Sequence, residues 1–181
     1  MNPKKYTMLL GVVFLIFLIF SYIENKLFFN VIGESFQNQP LAIAIIFIHN
    51  VLVISLILVG MTFYVNLVVN FLKEEKTKYG KYIVLEHPKI FAAIFTLLII
   101  FLSIFRECII VYGTVALEVL PSILLISAPV GILEGYGIYL TIKKTLSRNI
   151  TMKDLMFIYG IFLVAAILEV SFINFLIKIL V

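Results

Sequence analysis

The sequence predicts an all-α fold, a polytopic membrane helical bundle of about five spans, on three observations. Of 181 residues, 63% are hydrophobic and 13% charged, against roughly 45–50% and about 25% in soluble domains. The apolar residues form long runs joined by connections too short to fold alone, so residues 1–181 make one integral membrane domain. The cations sit almost wholly in alternate connections, as membrane topology imposes.

Span 1 is expected from Tyr6 to Ile23, a charge-free stretch longer than the apolar core of a signal peptide and followed by no small-residue cleavage site. A polar connection, Glu24 to Pro40, follows. Span 2 stays free of Asp, Glu, Lys and Arg from Leu41 to Leu72. At about 1.5 Å per residue it outruns a hydrocarbon core of about 30 Å, so it tilts or projects. Pro88 suits a first helical turn, and span 3 runs from it to Arg106. Gly113 and Pro121 interrupt the next apolar stretch, which predicts a turn or partly re-entrant segment over Glu107 to Leu120 and a fourth span from Pro121 to Ile142. Thr151 is positioned as the N-cap of span 5, Met152 to Lys178.

Eleven of the fourteen Lys and Arg then fall on one side: Lys4, Lys5, Lys73, Lys76, Lys78, Lys81, Lys89, Lys143, Lys144, Arg148 and Lys153. Lys26, Arg106 and Lys178 fall on the other. The positive-inside rule predicts a multi-pass protein of the cell membrane with a cytoplasmic N-terminus and an external C-terminus. The net charge of +4 reflects this topology and not a nucleic-acid-binding face.

Span 4 is the irregular one. Pro129 cannot donate to the carbonyl of Leu125, which predicts a kinked or broken helix. Gly131 and Gly135 form a small-xxx-small pair, and Glu134 and Ile138 lie near that face. An intramembrane carboxylate there either fastens the bundle or binds an ion or solute. Glu169 lies in mid-span 5 with Ala165 one turn away, so it is expected to look inward. In span 2, His49 shares a face with Val53, Leu56 and Gly60, while Ser55, Thr62, Asn66 and Asn70 form a polar stripe suited to a partner helix or a wet crevice.

By depth, His49, Arg106, Glu107 and Glu169 can meet in the outer half, whereas Glu134 counts out past the midplane; this mismatch argues against a simple pair of Glu134 with Glu169. The alternative for Arg106 is to snorkel outward and pair with Glu107 or Glu118. His87 lies on the side opposite His49, so no zinc site is expected, and the single cysteine, Cys108, excludes an intrachain disulfide and reads as a small apolar residue. No nucleophile elbow, HExxH or phosphate-binding glycine loop occurs, and Glu74-Glu75 lies in a lysine-rich connection. No enzyme and no cofactor are expected.

The string Pro129-Val130-Gly131-Ile132-Leu133-Glu134 resembles the Pro-His-Gly-Ile-Phe-Glu signature of the stage II sporulation protein M family. The segment Ile48-His49-Asn50-Val51, with Gly60 beyond it, is similar to that family's asparagine-bearing second span. Pro129, Gly131 and Glu134 match the core position by position, Val130 stands where the family has histidine, and Gly135 follows the glutamate. The resemblance implies a multispanning scaffold that holds partner proteins of the cell envelope. Two functions follow as expectations. One is a membrane scaffold or assembly protein, a candidate homo-oligomer in contact with lipid and with membrane or envelope partners, whose span 4 is a packing hub. The other is a small ion or solute transporter or channel that uses Glu134 and Glu169.

Overall fold

The computed structural model describes residues 2–71, 87–113, 118 and 120–180, and leaves the side chain of Glu107, among a few others, outside the description. The lysine-rich connection and residues 114–117 and 119 of the expected re-entrant segment also lie outside it. The described residues are all-helical. The helices are α1 (Pro3–Ser35), α2 (Gln39–Asn70), α3 (Pro88–Tyr112), α4 (Leu120–Leu146) and α5 (Met152–Leu180). Among the described residues, four helices are long and apolar enough to cross a membrane: α1, α2, α3 as far as Arg106, and α5 as far as Phe175. The protein is a multi-pass helical membrane protein.

Helix starts follow local chemistry. Asn2 caps α1 by accepting from the Lys4 amide, and Asn38 caps α2 by accepting from Leu41. Pro88 occupies the first turn of α3. Thr151 caps α5 through its hydroxyl on the Asp154 amide, and Asp154 accepts in return from the Thr151 amide, a reciprocal capping box.

Three expectations change. The connection expected from Glu24 is helical as far as Ser35, because Glu24, Phe28, Ile32 and Ser35 make one inward stripe while Asn25, Lys26, Asn30 and Glu34 face out. Helix α3 continues past Arg106 to Tyr112, where Gly113, at φ 70°, provides the left-handed cap. The turn therefore begins at Gly113 and not at Glu107. Helix α4 is not broken at Pro129, but continues through it to Leu146.

Helices α1 and α2 form an antiparallel hairpin. Gly60 receives the Phe14 ring and Gly11 the Phe63 ring, with the two rings stacked at 6.0 Å. Helix α4 packs on α3, α5 and α2, and α2 also packs on α5. Two apolar clusters result. One, built on Ile54, Ile138, Ile142, Ile158 and Phe162, joins α2, α4 and α5 with Ala92 of α3; the other, on Phe28, Ile32, Ala42, Ile46, Ala166 and Val170, joins α1, α2 and α5. The outer faces are apolar too, with Leu15, Phe20, Ile94, Leu97 and Ile132 exposed, as a hydrocarbon solvent permits.

A Cβ at Gly60 would stand 2.8 Å from Phe14 Cε2. Gly60→Val is expected to destabilise the hairpin by about 1–3 kcal/mol, the usual cost of overpacking. Denaturation in detergent should show this loss, and Phe14→Ala in the same chain should recover part of it.

Candidate functional site

A polar layer separates the two apolar clusters, and every helix contributes to it. From α2, His49 and Asn50 lie between Ile46 of one cluster and Ile54 of the other. Asn50 Nδ2 donates to Glu134 Oε1 of α4 at 2.9 Å. Arg106 of α3 donates through Nη2 to Glu169 Oε1 of α5 at 3.0 Å, and the same nitrogen is 3.9 Å from Glu134 Oε1. The side chains of Glu169 and Glu134 are 2% and 6% exposed. On the α1 side, both oxygens of Glu24 lie 3.0 Å from His49 Nδ1, and Phe28 stacks on the imidazole at 4.3 Å.

The structure thus brings together His49, Asn50, Arg106, Glu134 and Glu169. Arg106 does not snorkel to pair with Glu118, which is exposed; it turns inward to carboxylates on two other helices. The depth mismatch expected between Glu134 and Glu169 does not keep them apart, because one guanidinium lies between them. The two helices concerned, α4 and α5, have 27 and 29 residues, and it is the long Arg106 side chain that spans the difference in height. The side chain of Glu107 lies outside the described residues.

The packing glycines also differ from expectation. Among the described residues, a Cβ at Gly131 would find only Ile100, at 4.0 Å, and Gly131 lines a groove. The tight contacts are Gly135 against Ile100 and Gly137 against Phe162, where a Cβ would come to 2.5 Å in each case. The polar stripe of α2 is mostly satisfied within its own helix: Ser55 and Thr62 donate to the carbonyls of Val51 and Leu58, and Asn66 to that of Thr62. Only Asn70 reaches a partner, the Thr7 hydroxyl of α1 at 2.9 Å. Cys108 is fully buried.

Glu24 is the site residue that reading the sequence missed. Its spacing to Phe28 and Ile32 was the available signal, since the three share one helical face. Among the described residues, no three His, Cys, Asp or Glu side chains converge to hold a metal ion. The site can instead hold and share protons, and can fasten helices by charge. Comparison of the chain with protein-family models, with curated proteins and with solved structures gives no match.

Magnitudes separate the roles within the layer. Interhelical hydrogen bonds in membrane proteins average only about 0.6 kcal/mol, because the unfolded chain in lipid also finds partners. Breaking a buried ion pair costs about 3–5 kcal/mol. Arg106→Met is therefore expected to be much more damaging than Asn50→Leu. In a double-mutant cycle followed by detergent denaturation, Glu169→Gln should recover part of the loss caused by Arg106→Met.

Proposed function

We propose that the protein is a multi-pass membrane scaffold or assembly protein of the kind implied by its resemblance to the stage II sporulation protein M family, with α4 as its packing hub. One observation carries this reading. Asn50 and Glu134, which belong to the two segments that bear the resemblance, meet at 2.9 Å from positions 84 residues apart. Val130, at the position of the family's histidine, is 1% exposed, so that position faces the interior. The pairing of helix ends supports it further: α1 starts beside the end of α2 through Thr7 and Asn70, and α4 ends beside the start of α5 through Lys144 and Asp154 at 3.2 Å. The cation-rich ends thereby gather at one end of the bundle, which favours a cytoplasmic N-terminus and an external C-terminus. The reading assigns the polar layer to holding the bundle rigid for membrane or envelope partners, with no catalytic step.

The second reading, a small ion or solute transporter, draws on a different observation. Two carboxylates, Glu134 and Glu169, face one arginine within the bundle and a third, Glu24, faces His49, and such groups line ion and proton pathways in transporters.

Reconstituted protein separates the two. For a scaffold, proteoliposomes should show no proton- or cation-dependent flux above protein-free vesicles. Envelope partners crosslinked in native membranes should still co-purify with Glu134→Gln and be lost with Gly135→Leu. A flux abolished by Glu134→Gln would replace the scaffold with the transporter.

A further inference from the structure

The hairpin of α1 and α2 and the helix α3 are held from opposite sides, and an apolar crevice lies between them. The hairpin is locked by Phe14 on Gly60 and Phe63 on Gly11. Helix α3 is anchored away from it, by Ile100 against Gly135 of α4 and by Arg106 on Glu169 of α5. Among the described residues, α3 touches the hairpin only sparsely. The space left over runs between Phe14 of α1, the stretch from Val53 to Leu67 of α2, and Phe91 and Ile99 of α3. Its volume is about 560 Å³, within the roughly 300–1,000 Å³ of small-molecule sites.

Neither side can close the crevice without losing contacts. Swinging α3 toward the hairpin would draw Ile100 away from Gly135 and the arginine away from its carboxylate. Left empty, the crevice would cost its lining side chains their dispersion contacts. Leu18 also lines it and is 41% exposed, so the crevice opens to the surrounding hydrocarbon. An alkyl chain is the occupant that matches this lining.

Length and polarity orient that chain. Val53 to Leu67 rises about 21 Å at about 1.5 Å per residue, which is roughly two thirds of a hydrocarbon core of about 30 Å. The end at Leu18, Val53 and Ile99 is wholly apolar. Toward the other end Tyr64 brings the one hydroxyl among the described lining residues, a group that favours the level of lipid headgroups. Ala92, near the start of α3, shares an apolar cluster with Val65 and Leu146, near the ends of α2 and α4. This is the end where lysines gather. Lys89 is exposed on the first turn of α3, two residues before Phe91. Lys4 and Lys5 are exposed on the first turn of α1, and Lys4 lies 5.7 Å from the Phe71 ring that follows α2. Among the described residues no carboxylate pairs with Lys5 or Lys89. The crevice thus joins an apolar slot to a cationic mouth.

We propose that the crevice between the α1–α2 hairpin and α3 holds one acyl chain of an anionic phospholipid, whose headgroup lies at the lysines that begin α1 and α3. The apolar slot selects the chain and the lysines select the headgroup charge.

Native mass spectrometry tests this on the full chain, purified in detergent and given phosphatidylglycerol or phosphatidylcholine with identical acyl chains. Phosphatidylglycerol should remain as a one-to-one adduct after activation that strips phosphatidylcholine. Lys5→Gln and Lys89→Gln should each weaken retention about fivefold, the usual contribution of one basic residue at an anionic surface. Both positions are exposed, so these variants should keep the thermal unfolding midpoint of the parent in lipid-free detergent. Leu56→Trp should abolish the adduct by filling the crevice. In proteoliposomes, phosphatidylglycerol with a diazirine at mid-chain should crosslink to residues 53–67 of α2 or 91–99 of α3.

Equal retention of the two lipids, retention unchanged when Lys5→Gln and Lys89→Gln are combined, or crosslinks confined to outer-face residues such as Leu15 and Ile94 would overturn the proposal. So would a benzophenone side chain at position 56 that captures residues 72–86 or a second copy of the chain in place of lipid, because the crevice would then have a protein occupant.

Discussion

Arg106 is the charge around which the bundle closes. A guanidinium cannot be left alone in hydrocarbon, and its long side chain can either run to the interface or find anions inside. Here it finds them on two helices, at 3.0 Å on Glu169 and 3.9 Å on Glu134, and Asn50 ties the second of these to α2. Glu24 and His49 repeat the device between α1 and α2. These contacts fix register more than they add stability. Sliding α4 by one turn would displace Glu134 by about 5.4 Å and leave both the arginine and the amide without it. An apolar seam alone would tolerate such a slip far better, since in lipid one aliphatic contact replaces another at little cost.

The apolar layers serve a different purpose. Between helices in a bilayer no water is expelled, so association rests on close packing. The chain obtains it by fitting aromatic rings against glycines: Phe14 on Gly60, Phe63 on Gly11 and Phe162 on Gly137. These contacts lie in the half of the bundle where the cation-rich ends gather. The other half is closed by Phe28, Ile32 and Ile46 against Ala166 and Val170, where small residues on α5 let the longer side chains approach. The polar layer sits between them, dry enough for charge to matter and held from both sides.

Much of this was legible in the sequence, where local chemistry decides it. Pro88 and Thr151 marked helix starts because proline and threonine act on their own first turn. Glu169 read as inward because Ala165 shares its face. What the sequence did not carry was relative height. Glu134 and Glu169 count to different depths, and the reach of the Arg106 side chain joins them. Glu24 was lost because Asn25, Lys26, Asn30 and Glu34 made its surroundings look like a loop, although they are the outer face of a helix that outruns the apolar stretch. The spacing of Gly131 to Gly135 fits a crossing point, but spacing gives the face of a helix and not the distance to its neighbour, and here the tight contacts are at Gly135 and Gly137.

The contacts of Glu134 differ in their dependence on charge. Its attraction for Arg106 is electrostatic, whereas its Oε1 also accepts from the neutral Asn50 amide. Helix α4 is tied to α2 through that amide and to α5 through Gly137 and Phe162, while its hold on α3 rests on Arg106 and on the packing of Gly135 against Ile100. The groove bordered by Glu134 lies along that same seam between α3 and α4. The contact that rests on charge is therefore the one that borders lipid, and the contacts that do not are those that hold the interior.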